Sequence, residues 1–301
     1  MVDISVVIPV KNGKKYIGQL LKAVFSQKID AAFEVIVIDS GSCDGTLDMI
    51  RAYPVMLHQI KPEEFNHGLT RNLGISLSRG KYIILMTQDA VPCDGAWMEK
   101  MIEHLKGDND VAAVYSRQVP HKDAGPLSRI RVSRFFTYSE VKKDSRIGSP
   151  GGYDKLPPEE KHKLCNFDNV SSCLRRQVWE KFPFSKTDFA EDVEWAQRVL
   201  KAGYRIIYEP GSVVYHSHDF SVVGWYERNR VNSQKLFSLF GLRPLNNLFQ
   251  LMAAFFLYTL RDSILLYKIG IRDFLFNIYF VPLYAFSGAL GQYAGSRGQG
   301  P

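Results

Sequence analysis

Lys81-Tyr-Ile-Ile-Leu-Met-Thr-Gln-Asp89 is an apolar run that delivers one carboxylate to its end. Short, near-continuous apolar runs of this kind read as strands of a covered parallel sheet. Glu34-Val-Ile-Val-Ile-Asp39 repeats the arrangement and also ends in Asp. Open parallel sheets bind ligands at the carboxyl ends of their strands, so Asp39 and Asp89 are candidates for one site. Much later the chain supplies Glu191-Asp192 and then His216-Ser-His218. Carboxylates and imidazoles gathered around a phosphorylated ligand suit hard-metal chemistry.

Working outward, Ile4–Val10 reads as a strand running into the turn Asn12-Gly13, followed by Tyr16, Leu20, Leu21, Val24 and Phe25 at helical spacing. Strand Val35–Ile38, the turn-rich Ser40–Gly45 and a helix through Leu47 and Ile50 follow. Val55–Ile60 reads as a strand, Leu69, Leu73 and Leu77 as a helix, and Tyr82–Met86 as a strand. A helix from Trp97 to Leu105 leads to strand Val111–Tyr115. This alternation predicts an α/β fold, a mostly parallel central sheet with helices on both faces. Ser116–Leu164 is rich in Arg, Lys, Pro and Gly and reads as a lid or an inert insertion. Phe167–Leu174, a helix from Asp188 to Ala202, and strands Arg205–Tyr208 and Val213–His216 complete the globular part.

The 301 residues carry a formal net charge of +7. From Trp225 onward eight basic residues face three acids, a local +5, beside the most apolar part of the chain. That favours an anionic membrane surface over nucleic acid. Leu248, Leu251, Met252, Phe255, Phe256 and Leu260 recur at helical spacing, and Phe274–Ala294 contains no charge. Flanking cations and abundant aromatics fit helices lying in a membrane interface, with a true span or a homodimer interface as the alternatives. Residues 295–301 lack apolar content and read as a disordered tail. The four cysteines show no C-x-x-C spacing, and Val6–Val10 read as a core strand and not as a leader, so the cytosol is the expected compartment.

The candidate site residues have ordinary readings as well. Asp39 is also turn chemistry for Ser40–Gly45. Phe65-Asn-His-Gly-Leu-Thr-Arg-Asn72 opens a helix whose His67 and Arg71 share a face, and Arg suits phosphate, yet Arg71 would otherwise be merely solvated. Glu191-Asp192 sits where a helix dipole welcomes acids, and about 100° separates the two, so one of them should face a substrate. His216 and His218, two apart on a predicted strand, share a side and can hold a metal or a diphosphate.

Together these residues resemble the family-two inverting glycosyltransferases of GT-A fold. The pieces are Val6-Val-Ile-Pro-Val-Lys-Asn12, Val37-Ile-Asp39-Ser-Gly-Ser-Cys-Asp44-Gly-Thr, Thr87-Gln-Asp89-Ala and Glu191-Asp192. Phe65–Asn72, Arg117-Gln118, Asn169-Val-Ser-Ser and the stretch from Phe189-Ala-Glu-Asp to His216-Ser-His218 are similar to the rhamnosyltransferase-type branch. The resemblance implies that Pro9, Val10, Asn12, Asp39, Arg71 and Gln88 line the nucleotide sugar. It implies that Asp89, with His216 and His218, binds Mg²⁺ or Mn²⁺, although Thr87 stands where the family's first acid usually does. Asp192 would be the catalytic base, with Glu191, Arg117, Asn169 and His67 around the acceptor. Residues 1–115 would be the nucleotide-sugar-binding half, 116–244 the acceptor-binding half, and 245–294 helices that associate with a membrane. The implied reaction moves L-rhamnose from dTDP-β-L-rhamnose to a saccharide or polyprenyl-diphosphate-linked acceptor on the cytoplasmic face of the bacterial inner membrane. Another nucleotide sugar such as a UDP-sugar, or a silent nucleotide-sugar-binding scaffold, are the rival readings.

Overall fold

The computed structural model describes residues 2–149, 151–187 and 189–297. In chain order the first elements are β1 (Ile4–Val10), α1 (Ile17–Phe25), β2 (Phe33–Asp39), α2 (Thr46–Arg51), β3 (Met56–Gln59), α3 (His67–Ser76) and β4 (Tyr82–Met86). Then come β5 (Val91–Pro92), α4 (Trp97–Gly107), β6 (Val111–Val119), α5 (Pro126–Ser133), β7 (Lys143–Ser145), α6 (Pro158–Leu164) and β8 (Ser171–Arg175). The last are α7 (Arg176–Lys181), α8 (Glu191–Lys201), β9 (Arg205–Tyr215), α9 (Val222–Phe240), α10 (Leu248–Ile269), α11 (Ile271–Asn277) and α12 (Phe280–Arg297).

The chain forms two units, one of residues 1–119, 136–155 and 164–216, the other of 120–135, 156–163 and 217–301. The first carries the sheet, in the order β3-β2-β1-β4-β8-β6-β9-β5 with β7 also on β9. β3, β2, β1 and β4 are mutually parallel, which places Asp39 and Asp89 at the same end of the sheet. β8 runs antiparallel between β4 and β6, so the sheet is mixed beyond β4. β1 is buried because both its faces are covered. Ile4, Val6 and Ile8 pack with Ile17, Leu20, Leu21 and Val24 of α1, each worth about 1.5–3 kcal/mol when fully buried. On the other face α3 comes so close that a Cβ at Gly74 would lie 2.3 Å from Val7 Cγ1.

Several boundaries differ from the sequence reading. α3 buries Gly68, Thr70, Arg71, Gly74 and Ile75, while Leu69 is exposed; tight packing on the sheet selects small residues and overrides the leucine spacing. Arg205–Tyr215 is one continuous strand, and both histidines follow its end, so strand alternation does not relate them. The basic stretch 116–164 is not a plain loop: it contains the end of β6, a 3₁₀ turn at Phe136–Tyr138, and α5, β7 and α6.

In the second unit α12 lies along α9 through small residues. A Cβ at Gly291 would meet Tyr226 O at 2.4 Å, and one at Gly295 would meet Arg230 O at 2.2 Å, so the two backbones nearly touch. The uncharged run Phe274–Ala294 is not one straight helix, because α11 and α12 are bent by 65° at their junction. Gly295–Arg297 finish α12, and 298–301, expected as disordered, lie outside the described residues. Among the described residues one helix, α10, is long and apolar enough to cross a membrane, with mean hydropathy 1.3. Its outer face exposes Phe249, Met252, Phe256, Leu257, Leu260 and Tyr267.

Candidate active site

The loops that follow β1 and β2 are tied to each other and to the loop after β4. Gln88 holds the backbone of Lys11 at both ends, accepting from its N–H at 2.7 Å and donating to its carbonyl at 3.1 Å. Asn12 adopts a left-handed φ of 51°, which Asn tolerates better than most residues. Its N–H donates to Ser42 Oγ at 2.8 Å and its Oδ1 accepts from Cys43 N at 2.9 Å. Asp39 is fully buried and accepts from Gly41 N at 3.1 Å and Ser42 N at 3.2 Å. Its turn role is therefore real, and a carboxylate has further lone pairs to offer. Val10 is a core side chain whose carbonyl accepts from Ser40 N at 2.9 Å, while Pro9 is half-buried beside it.

At the start of α3, Asn66 caps the helix by accepting from Gly68 N and Leu69 N, both at 3.2 Å. Arg71 is buried, not solvated. It pairs with Glu191 at 3.0 Å, each side chain about 6% exposed, and donates to His67 O at 2.9 Å. His67 itself stands edge-on to Phe65. The Arg71–Glu191 pair pins the start of α8 to α3, and Glu191 is thereby spent. Asp192 is the acid left half-open to solvent, as the 100° separation requires.

Asp192 accepts from Val193 N at 2.8 Å and Asn169 N at 3.4 Å. Burial first, then the charges of Glu191 and Asp168, hold its pKa well above the ordinary carboxylate range, with Arg71 pulling the other way. Ala190, which precedes this pair, has a left-handed φ of 58°, a strain of about 1–2 kcal/mol for a residue with a Cβ. Such strain marks places where geometry is held for a purpose. Asn169 is buried, donates toward Glu191 Oε1 at 3.5 Å and accepts from Ser172 at 3.0 Å.

Asp89 and His216 meet across the sheet end, with Asp89 Oδ2 3.7 Å from His216 Nε2. That is too long for a direct hydrogen bond and leaves room for an ion to sit between the two. The orientation of the imidazole is set by Gln118. Gln118 Nε2 donates to Asp168 Oδ2 at 3.1 Å, so its Oε1 faces His216 Nδ1 at 2.8 Å. The carboxylate fixes which way the amide points, and the amide oxygen requires a proton on Nδ1. In the neutral imidazole Nε2 then presents its lone pair toward Asp89, the tautomer a metal ligand needs. A chain of influence thus forms: the Asp168 charge acts on Asp192, and hydrogen bonds lead from Asp168 through Gln118 to the His216 ring that faces Asp89. Thr87 Oγ1, at the position of the missing acid, is buried with no hydrogen-bond partner among the described residues.

Two members of that chain escape sequence reasoning. Arg117, the expected neighbour of the acceptor, turns to Glu140 at 2.9 Å and over the Tyr138 ring; successive side chains on a strand point to opposite faces, so it is Gln118 that reaches the histidine. Asp168 lies in the turn before β8, where its Oδ1 accepts from Val170 N at 2.7 Å. Its adjacency to Asn169 was the available signal. His218 is exposed and belongs to the second unit, where its carbonyl accepts from Ser128 Oγ at 2.8 Å.

The profile of glycosyl transferase family 2 matches residues 5–177. The chain belongs to that family. Curated relatives of this glycosyltransferase include the O-antigen chain rhamnosyltransferase RfbN of Salmonella typhimurium, 34% identical over 72% of the chain and 67% of the relative. WbaN of Salmonella anatum, also an O-antigen chain rhamnosyltransferase, is 33% identical over 65% of the chain and 60% of its own length. The match thus spans about two thirds or less of these relatives. Among solved structures, glucosyl-3-phosphoglycerate synthase of Mycobacterium tuberculosis with Mg²⁺ and uridine diphosphate aligns at a TM-score of 0.56 and 17% identity, covering 80% of each chain. The mannosyltransferase PcManGT of Pyrobaculum calidifontis, with GDP-Man and Mn²⁺, aligns at 0.54 and 18% identity over 97% of this chain and 73% of that one. These structures share the GT-A fold that the family resemblance implies.

Proposed function

We propose that this family 2 glycosyltransferase is a metal-dependent inverting rhamnosyltransferase of bacterial cell-surface polysaccharide synthesis. The donor would be dTDP-β-L-rhamnose and the acceptor a saccharide, free or polyprenyl-diphosphate-linked. The observation that carries the reading is Asp168, whose charge raises the pKa of Asp192 and whose hydrogen bond to Gln118 orients the His216 ring that faces Asp89. A general base works best when its pKa lies near the working pH, and a carboxylate facing an imidazole lone pair is a fitting donor set for Mg²⁺ or Mn²⁺. His218 would be the third ligand; two residues of chain cannot carry its Cα more than about 7 Å from that of His216.

When bound, the ion would offset charge developing on the departing nucleoside diphosphate. The chain's own residues do the rest. Asp192 takes the proton of the acceptor hydroxyl as that oxygen attacks the anomeric carbon from the face opposite the leaving group, which inverts the configuration and gives an α-L-rhamnoside. Glu191 cannot serve in its place, because it is paired with Arg71. Gln118 holds the His216 ring, and the interlocked loops at Asn12, Asp39 and Gln88 shape the cleft for the base and ribose. In this reading 1–115 serves the donor and 116–244 the acceptor, with Arg117, Asn169 and His67 on the acceptor side. The relatives' names support rhamnose over another sugar.

The exposed apolar face of α10 and the basic excess around it support peripheral attachment to the cytoplasmic face of the inner membrane. A panel of nucleotide sugars, assayed with lipid-linked N-acetylglucosamine acceptors with and without EDTA, tests the whole reading. Transfer from dTDP-rhamnose that EDTA abolishes is expected. Preference for a UDP-sugar would replace the donor, EDTA-resistant transfer would remove the metal, and neither transfer nor donor hydrolysis would leave a silent binding protein.

A further inference from the structure

The second unit encloses a cavity of about 40 Å³ between α5, α9, α10 and α12. Arg131, Arg134 and Arg261 line it, together with Trp225, Tyr258 and Tyr284. Among the described residues its wall contains a single acid, Asp262, and that acid is shared. Arg134 Nη1 donates to both Asp262 oxygens at 2.8 and 3.0 Å, and Arg261 Nε donates to one of them at 3.0 Å. Arg131 is held by aromatic faces, its guanidinium 4.9 Å from the Trp225 ring centre and 4.3 Å from that of Tyr284, with Asp219 contributing at longer range. Arg261 Nη2 is buried and has no hydrogen-bond partner among the described residues.

Gathering three guanidinium groups around one carboxylate is costly if packing is the sole purpose. Burial already pushes the pKa of Arg131 and Arg134 down, and arginine does not escape the cost by losing its proton. An anion would supply what the wall lacks: a second negative charge and an acceptor for Arg261 Nη2. We propose that this cavity binds a phosphate group, held by the guanidinium forks of Arg131, Arg134 and Arg261. The size fits. A water needs about 10–15 Å³ of such space, so 40 Å³ accommodates about three oxygen-sized groups, enough for three oxygens of a dissolved phosphate or the two free ones of a phospholipid phosphodiester. Planar guanidinium forks match phosphate oxygens in pairs. The phosphate could be dissolved or part of a phospholipid headgroup, and the chemistry at the wall is the same. The inference needs neither the rhamnosyl donor nor the role of Asp192.

The test uses the full chain in two arms at constant ionic strength. The first is titration with inorganic phosphate against chloride, followed by calorimetry and thermal unfolding. The second is flotation on phosphatidylglycerol vesicles against phosphatidylcholine vesicles. Arg261→Gln and Arg131→Gln are each expected to weaken the response by about tenfold or more, the usual worth of a charged hydrogen bond, while nucleotide binding stays normal. Arg261→Lys should recover part of the loss. If Arg131→Gln does not fold, Arg261→Gln decides with Arg261→Lys beside it, because Arg261 gives the fold one bond, Nε to Asp262, while its Nη2 has no partner among the described residues. A loss in the first arm alone identifies dissolved phosphate, and a loss in the second identifies the headgroup. Responses unchanged by Arg261→Gln in both arms, or absent from the native protein in both, overturn the proposal and leave a structural arginine network.

Discussion

Replacing Asp192 by Asn separates chemistry from architecture with one atom. The amide keeps one acceptor oxygen, enough for the 2.8 Å bond from Val193 N, and gives up the 3.4 Å bond from Asn169 N, at a cost of about 1 kcal/mol. Against that stands the ionisation penalty. The folded pKa of Asp192 is raised well above its unfolded value by burial, Glu191 and Asp168, so the folded state binds more protons between the two values. Stability then falls as pH rises from the unfolded pKa through the folded one, and above both the penalty is fully present. Each pKa unit is worth about 1.4 kcal/mol, so at pH 7–8 the amide should offset or exceed the lost hydrogen bond. The variant is expected to melt no lower than the native protein there, with about 2–4 °C gained per kcal/mol. As pH falls toward 4 the advantage should shrink and reverse. Transfer should fall about 10²–10⁴-fold, the worth of a general base. Scanning calorimetry from pH 4 to 8, with donor turnover at each pH, measures both. Transfer within tenfold of native, or a variant clearly less stable at pH 7–8, would refute the assignment.

Glu191→Gln removes a charge that raises the pKa of Asp192, so the acid limb of the pH–rate profile should move to lower pH. The same change leaves Arg71 buried without its partner, so chemical denaturation should show a loss of about 3–5 kcal/mol. Asp89→Ala should abolish Mn²⁺-dependent nucleotide binding in calorimetry while nucleotide binding without metal persists; an unchanged metal dependence counts against the ligand role. Gln118→Leu removes the acceptor at His216 Nδ1 and should lower Mn²⁺ affinity about 10–100-fold, the usual worth of such a support, with fold retained by circular dichroism. Phe256→Glu, alone or with Phe249→Glu, should reduce flotation with anionic vesicles and leave donor binding intact, since both side chains are largely exposed, at 63% and 82%. Unaltered flotation combined with a concentration-dependent dimer would move that face to a protein interface.

What could be read in the chain divides by the range of the interaction that determines it. β1, β2 and β4 are buried on both faces, so their runs are continuously apolar and local sequence suffices; the turn or carboxylate that ends each run then marks the ligand end of the sheet. The face of α3 was not legible, because Gly68 and Gly74 are selected by contact with Ser185 O and Val7, residues far away in the chain, and the leucine period points elsewhere. The same reasoning explains the site. Asp89 and Asp192 announce themselves by position, at a strand end and a helix start. Gln118 and Asp168 do not, since a glutamine in a strand and an aspartate in a turn each have an ordinary explanation. Their meaning appears only when β6, β8 and β9 are brought side by side, so that one carboxylate, 50 residues from the amide it orients, sets which end of that amide faces His216. A change at Asp168 is therefore expected to be felt in two places at once. Asp168→Asn would free the Gln118 amide to turn over, blurring the His216 tautomer, and would remove a charge that raises the pKa of Asp192. Metal affinity should fall while the acid limb of the rate profile moves to lower pH. A variant that changed one without the other would show that the proposed base and the proposed metal pair are not coupled through this aspartate.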